Sequence, residues 1–297
     1  MKYNANLVLE GGGMRGAYTA GVLDFFHDQG IEFPLVTSTS SAALVGSSYI
    51  AKQRGRNYKI LEQIWKNSQS ISFLRMLQHK ELFSMDFIFN TLSNDSFPID
   101  FDTLSKTPTK FVIGTTDMNT GKPFYFDHYE TKSDLLNLIR ASCSLPVLAP
   151  SVSYKNKELM DGGISDAIPI NPSIASGTPK HVVVLTRNQG YVKKPSNLHW
   201  LFKRVFKDYP NFINLLKTRH NLYNQTMQML LKMEQQGEVF IIQPQKPLKA
   251  SRIERNKDKL RLLYMQGYEE AENKLKDLQR FLKNSDQSYY FQDNISS

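Results

Sequence analysis

The chain is poor in cysteine: Cys143 is the single thiol among 297 residues. One thiol excludes an internal disulfide framework and fits a reducing cytoplasm. Its small, apolar surroundings read as buried filler rather than as a nucleophile's setting. Long apolar runs are also absent. No stretch approaches the roughly 18 apolar residues of a bilayer-spanning helix. Met1–Asn6 leads into the first strand without the apolar core of a signal peptide, so a soluble protein is expected. Histidine is scarce, with 6 in all, and none has a setting suited to a catalytic base. His27 and His79 lie in polar surroundings, His128 follows a strand, His181 opens one, and His199 and His220 fall in a basic region. No His/Cys/Asp cluster has ligand spacing, so neither a metal nor a cofactor is expected.

What remains is an ordinary globular composition, 40% hydrophobic and 22% charged, long enough for one large α/β core or a core with a modest appended part. The net charge of +9 is unevenly placed. Residues 1–186 hold 17 Lys+Arg against 17 Asp+Glu, whereas residues 187–283 hold 20 against 9. The surplus reads either as a solvated face or as attraction to an anionic surface. Trp200–Lys207 and Phe212–Lys217 mix aromatic and aliphatic residues with positive charge. They suit either a cover for the sheet or peripheral contact with an anionic membrane, which for a cytoplasmic protein is the inner membrane surface. Nucleic acid is not an expected partner, because the charge comes without a recognisable binding module.

Hydrophobic periodicity predicts strands at Leu7–Glu10, Pro34–Ser38, Phe111–Thr116, Phe124–Phe126, His181–Thr186 and Val239–Gln243. Helices are predicted at Met14–Asp28, from Ser41 to about Lys52, near Tyr58–Asn67, and over Ser133–Arg140. Two or three helices follow Leu198, and one long helix runs from Asp258 to about Lys283. This alternation argues for a mostly parallel sheet with helices on both faces. The chain divides into a core at 1–186, a basic and mainly helical portion at 187–283 packed on it, and a polar tail at 284–297 that frays.

Three motifs carry the chemistry. Gly11-Gly12-Gly13-Met14-Arg15-Gly16 joins the first strand to the first helix, and glycines at such a corner bring backbone N–H groups close to an anionic oxygen. That oxygen belongs to a phosphate or to a reaction oxyanion. The loop lacks the Gly-Lys-Ser/Thr ending of a P-loop. Second, Ser38-Thr39-Ser40-Ser41-Ala42 joins strand to helix through small hydroxyl residues, the layout of a nucleophile elbow, although a Ser helix cap would look similar. Ser41 rivals Ser40 by proximity, and alignment through Leu44 and the helix start favours Ser40. Third, Asp161-Gly162-Gly163 closes a strand, either as a simple turn or as a carboxylate held at the sheet's rim. Asp166, five residues on, either positions that loop or faces solvent.

Taken in order, Glu10–Gly16, the elbow at 38–42 and Asp161-Gly162-Gly163 resemble the patatin-like phospholipases, particularly their compact bacterial members. Ala141–Pro146 and Gly162–Pro169 are similar too, and the likeness covers most of residues 5–190. The resemblance implies a three-layer α/β/α sandwich with a mostly parallel central sheet. It makes Ser40 the nucleophile, Asp161 its base, Gly11–Gly16 the oxyanion loop, and a phospholipid or other acyl ester the substrate. The chain departs from the family at the elbow, where Ser38 and Ala42 stand in place of the glycines of Gly-x-Ser-x-Gly. A displacement of about 1 Å there costs on the order of a hundredfold in rate. The alternative is therefore a weakly active or inactive lipid-binding relative.

Overall fold

A computed structural model describes residues 3–67, 70, 72, 75–76 and 81–283. His79 and the tail at 284–297 lie outside the described residues. The strands are β1 (Asn6–Leu9), β2 (Leu35–Thr39), β3 (Lys110–Asp117), β4 (Lys122–Phe126), β5 (Val152–Tyr154), β6 (Lys157–Asp161), β7 (His181–Val184) and β8 (Val239–Ile242). They form one sheet in the order β5-β6-β3-β2-β1-β7-β8, with β4 also paired to β3. Pairs from β3 through β8 are parallel, while β4, β5 and β6 join antiparallel. The fold is thus mixed α/β about a central sheet, with a helical C-terminal portion.

Successive side chains of a strand point to opposite faces, and here both faces are covered. Leu7, Leu9, Val182 and Val184 enter one apolar core, whereas Val8, Val183 and Leu185 enter another. On the first face lie α1 (Gly16–Asp28), α2 (Ser41–Ile50), α3 (Arg56–Lys66), α4 (Phe101–Lys106) and α5 (Lys132–Cys143). The second face carries α6 (Ile170–Ala175) and the 26-residue α8 (Pro210–Gln235). The short α7 (His199–Val205) and the start of α8 pack on Met118, Met160 and Ile164.

Residues 187–283 are interleaved with the sheet, since β8 extends it beyond β7. The basic amphipathic stretches split their apolar residues. Phe202, Phe206 and Phe212 are buried, while Trp200 is 65% exposed and Val205 47% exposed. No helix among the described residues is long and apolar enough to cross a membrane.

The long C-terminal helix expected over 258–283 is in fact two, α9 (Lys257–Asn273) and α10 (Leu275–Lys283), separated at Lys274. The apolar spacing continues through the break, so periodicity alone reads one element. Packing also goes beyond what that spacing conveys. A Cβ on Gly21 of α1 would lie 2.0 Å from the Tyr264 carbonyl oxygen of α9, and one on Gly267 would lie 2.0 Å from that of Tyr18. Only glycine lets the two backbones approach so closely. Tyr18 and Tyr264 then tie the pair, donating to Glu270 and Asp24 at 2.7 Å each.

Candidate active site

Sheet register brings the motifs together. β1 and β2 are parallel neighbours, so the glycine loop and the elbow emerge side by side at their C-terminal ends, where open α/β sheets bind ligands. Thr39 is opposite Gly114 on β3, and the next residue, Thr115, is opposite Asp161 on antiparallel β6. Asp161 thus reaches the edge from the opposite direction. Ser40 Oγ donates to Asp161 Oδ2 at 2.6 Å, and no imidazole intervenes. Asp161 Oδ1 accepts from the Gly163 N–H at 2.8 Å.

The elbow is a true sharp turn. Ser40 has φ 58° and ψ −139°, and α2 starts at the next residue. A non-glycine residue held there stores about 1–3 kcal/mol of strain and needs its surroundings to hold it. Ser142 on α5 supplies part of that hold, accepting the Ser40 N–H through its hydroxyl. The sequence offered no signal for this role beyond the place of Ser142 in Ala141–Pro146, past the predicted end of the helix at Arg140 and similar to the family. Ser38 and Ala42 are both fully buried, and the Ser38 hydroxyl donates to Val112 O at 3.3 Å. Room is made by glycines elsewhere. A Cβ at 162 would lie 2.1 Å from Gly114 O, and a Cβ at 11 would lie 2.8 Å from Ser40 Cβ.

Within the glycine loop, Gly11 N–H donates to Ala167 O at 3.2 Å and Met14 N–H to Arg252 O at 3.0 Å. Gly12 N–H donates to Ser41 Oγ at 3.2 Å. Ser41 therefore sits beside the loop rather than opposite Asp161. Gly13 has φ 58° and, like Ser40, lines two clefts. Arg15 is 3% exposed and lies in the 3-10 turn that precedes α1, with Gly16 as the first residue of the helix. Thr39 donates its hydroxyl to Ala167 O at 3.3 Å, which ties the elbow to the loop after Gly163.

Burial pushes the Asp161 carboxyl above its ordinary value, while the Ser40 hydrogen bond, Arg252, Arg219 and the Gly163 N–H pull the other way. Asp166 does not face solvent. It is 8% exposed, accepts from the Tyr125 hydroxyl at 2.5 Å, and is pushed up to about 6 by burial. It therefore anchors the acid loop to β4. Cys143 lies on the wall beside Ser40, and burial together with Asp161 raises its thiol well above the usual range.

Two clefts meet at Ser40. The larger encloses about 720 Å³, part of it open solvent, and its walls are apolar: Leu44, Val45, Leu61, Ile64, Phe89 and Leu145 among them. Phe89 comes from a π-helical segment, Phe87–Ser96, that apolar spacing did not anticipate. The smaller encloses about 260 Å³, again partly open, and is lined by the glycine loop, Asp161, Arg219 and Arg252. Among the described residues no group of His, Cys, Asp and Glu is placed to hold a metal ion.

The chain is 30% identical over 255 residues to the uncharacterized protein YjjU of Escherichia coli K12, covering 82% of this chain and 69% of that protein. It is 25% identical over 237 residues to lysophospholipase NTE1 of Scheffersomyces stipitis, covering 73% of this chain but only 14% of that protein. The crystal structure of VipD from Legionella pneumophila aligns with a TM-score of 0.45 at 10% identity, over 92% of this chain and 67% of that one. Residues 209–283 match a domain of unknown function, DUF6363. Residues 7–174 match the patatin-like phospholipase family, a span that runs from β1 past the acid motif, and the chain belongs to that family.

Proposed function

We propose that this protein is a lipid acyl hydrolase that cleaves carboxylic esters through a Ser40–Asp161 dyad. The observation that carries the reading is the 2.6 Å hydrogen bond from Ser40 Oγ to Asp161 Oδ2 at the mouth of an apolar cleft. Ser40 Oγ attacks the ester carbonyl while Asp161 takes its proton, and the proton then passes to the departing alkoxide. Water releases the acyl-enzyme by the same route. Gly13 is the loop amide best placed for the oxyanion, since those of Gly11, Gly12 and Met14 are committed to Ala167, Ser41 and Arg252. One such donor is worth about 3–4 kcal/mol of barrier. The α2 N-terminus adds its dipole. Asp161 is an unusually weak base in free form, and its burial brings it nearer the working range.

The apolar cleft suits one acyl chain, which fits a lysophospholipid, and the yeast relative is named a lysophospholipase. Within this reading 1–186 is the catalytic core and 187–283 a basic portion that completes its rim. Exposed Trp200 and Val205, beside Lys203 and Arg204 on α7, offer a face for peripheral contact with an anionic membrane. A fluorophosphonate probe tests the nucleophile. Wild type is expected to label and Ser40→Ala to remain unlabelled; equal labelling of both would overturn the assignment. Failure of the folded wild type to label would favour the inactive lipid-binding alternative.

A further inference from the structure

Behind the glycine loop the charge balance is lopsided. Arg15, Arg187, Lys193, Arg219 and Arg252 lie close enough to act on one another electrostatically, with Glu10 and Asp161 as the carboxylates among them. Glu10 is spent on neutral partners. Its carboxylate accepts from the Thr186 N–H, the Thr186 hydroxyl and the Tyr223 hydroxyl. Asp161 is engaged by Ser40 and Gly163. None of these five basic groups forms an ion pair with another described residue. Buried guanidinium nitrogens of Arg15 (Nε and Nη2) and Arg219 (Nε) have no hydrogen-bond partner among the described residues. Arg187 and Lys193 lie over the rings of Tyr191 and Tyr223, but the partnerless buried nitrogens of Arg15 and Arg219 are costly and call for an anion.

The place for that anion is the smaller cleft. Arg219 and Arg252 line it beside Ser40 and Asp161, and it shares Gly13, Ser40 and Leu145 with the apolar cleft. Arg219 Nη2 already holds Gly163 O at 3.0 Å, which leaves the rest of its donor fork free to turn on a ligand. Guanidinium forks match phosphate oxygens. A molecule with an acyl chain on one side of the ester and a phosphate on the other would fill both clefts.

We propose that Arg219 and Arg252, backed by Arg15, Arg187 and Lys193, form a subsite for the headgroup phosphate of the acyl-ester substrate. The C-terminal segment would then set selectivity for phosphate-bearing lipids over neutral acyl esters. The proposal rests on the hydrolase reading for the position of the scissile ester. It also gives residues 209–283 a task, since both arginines lie within them. Burial and the neighbouring cations already push Lys193 down to about 6, a stress that a bound phosphate would relieve.

Binding tests it without turnover. Full-length Ser40→Ala protein is titrated with octanoyl lysophosphatidic acid, with monooctanoylglycerol and with inorganic phosphate. The phosphate-bearing lipid is expected to bind at least about tenfold tighter than the neutral one, a difference in line with a charge-assisted contact. Adding Arg252→Gln should erase that difference and Arg252→Lys should keep part of it. The backbone carbonyl of Arg252, which holds Met14 N–H, is untouched by either change. Equal affinity for the two lipids, or a preference that survives Arg252→Gln, overturns the proposal. Inorganic phosphate binding as tightly as the lipid would assign the cleft to free phosphate and overturn it as well. Absence of wild-type hydrolysis of both octanoyl lysophosphatidic acid and the neutral octanoyl ester would sink the hydrolase reading alone.

Discussion

Ser142 Oγ lies 2.7 Å from the backbone nitrogen of Ser40 and 2.6 Å from Gly114 O, so one hydroxyl bridges the elbow to the third strand. The bridge pins a backbone that would otherwise relax from its positive φ. Ser142→Ala leaves a buried N–H without an acceptor, a loss of about 1–3 kcal/mol. Urea unfolding should show that loss, and kcat on a soluble ester should fall by about tenfold because the Ser40 hydroxyl is freed to drift. Full activity in the variant would show that the bridge is not needed to aim Ser40.

Asp161→Asn keeps the shape of the side chain and removes its ability to take a proton. A drop in kcat of about 10²–10⁴ is expected, with little change in KM. In the wild type, activity should rise with pH as Asp161 ionises, with a midpoint above the ordinary carboxylate value of about 3.9 because burial disfavours the charged form. Arg252 and Arg219 stabilise the ionised carboxylate. Removing the Arg252 charge therefore raises the folded-state pKa, and the acid limb of Arg252→Gln should move to higher pH. A limb that moves down would contradict the placement of these charges.

Ser38→Gly tests the altered elbow. Ser38 is fully buried in β2 and its hydroxyl is satisfied by Val112 O, so the structure already accommodates it. Glycine there should reduce stability by about 1 kcal/mol through backbone entropy. No gain in kcat over the wild type is expected. A tenfold gain would show that the serine distorts the turn.

Leu61 lines the apolar cleft from α3. Leu61→Trp should shorten the space for an acyl chain, shifting the kcat/KM optimum of a series of p-nitrophenyl esters toward shorter chains. An unchanged chain-length profile would place the acyl chain elsewhere.

Gly267→Ala would set a methyl group 2.0 Å from Tyr18 O. The helices α1 and α9 must then part, and a loss of about 1–3 kcal/mol or more is expected in chemical unfolding. A change below about 0.5 kcal/mol, the range of neutral surface substitutions, would show that the crossing is more pliable than this close approach implies.

The glycine loop, the elbow and the acid motif were legible because each is a local device: glycine, small hydroxyls and Asp-Gly carry their backbone geometry with them. The strands and helices that flank them were equally readable, since burial on both sides of a sheet leaves apolar runs of recognisable period. The break at Lys274 was not, because an apolar stripe can continue across two helices packed on one core. Nor was the task of Asp166, whose partner Tyr125 lies 41 residues away.

By itself, then, the sequence determined the glycine loop, the strand-to-helix turn at Ser40 and the Asp-Gly-Gly turn, and which elements would carry them. Tertiary structure alone decided that β6 runs antiparallel beside β3 and delivers Asp161 to Ser40, 121 residues earlier in the chain. It alone set Ser142, Arg219 and Arg252 around that pair. The physical reason is that strand order and register fix such distances through long-range pairing, and no local pattern of side chains records which strand will lie next to which.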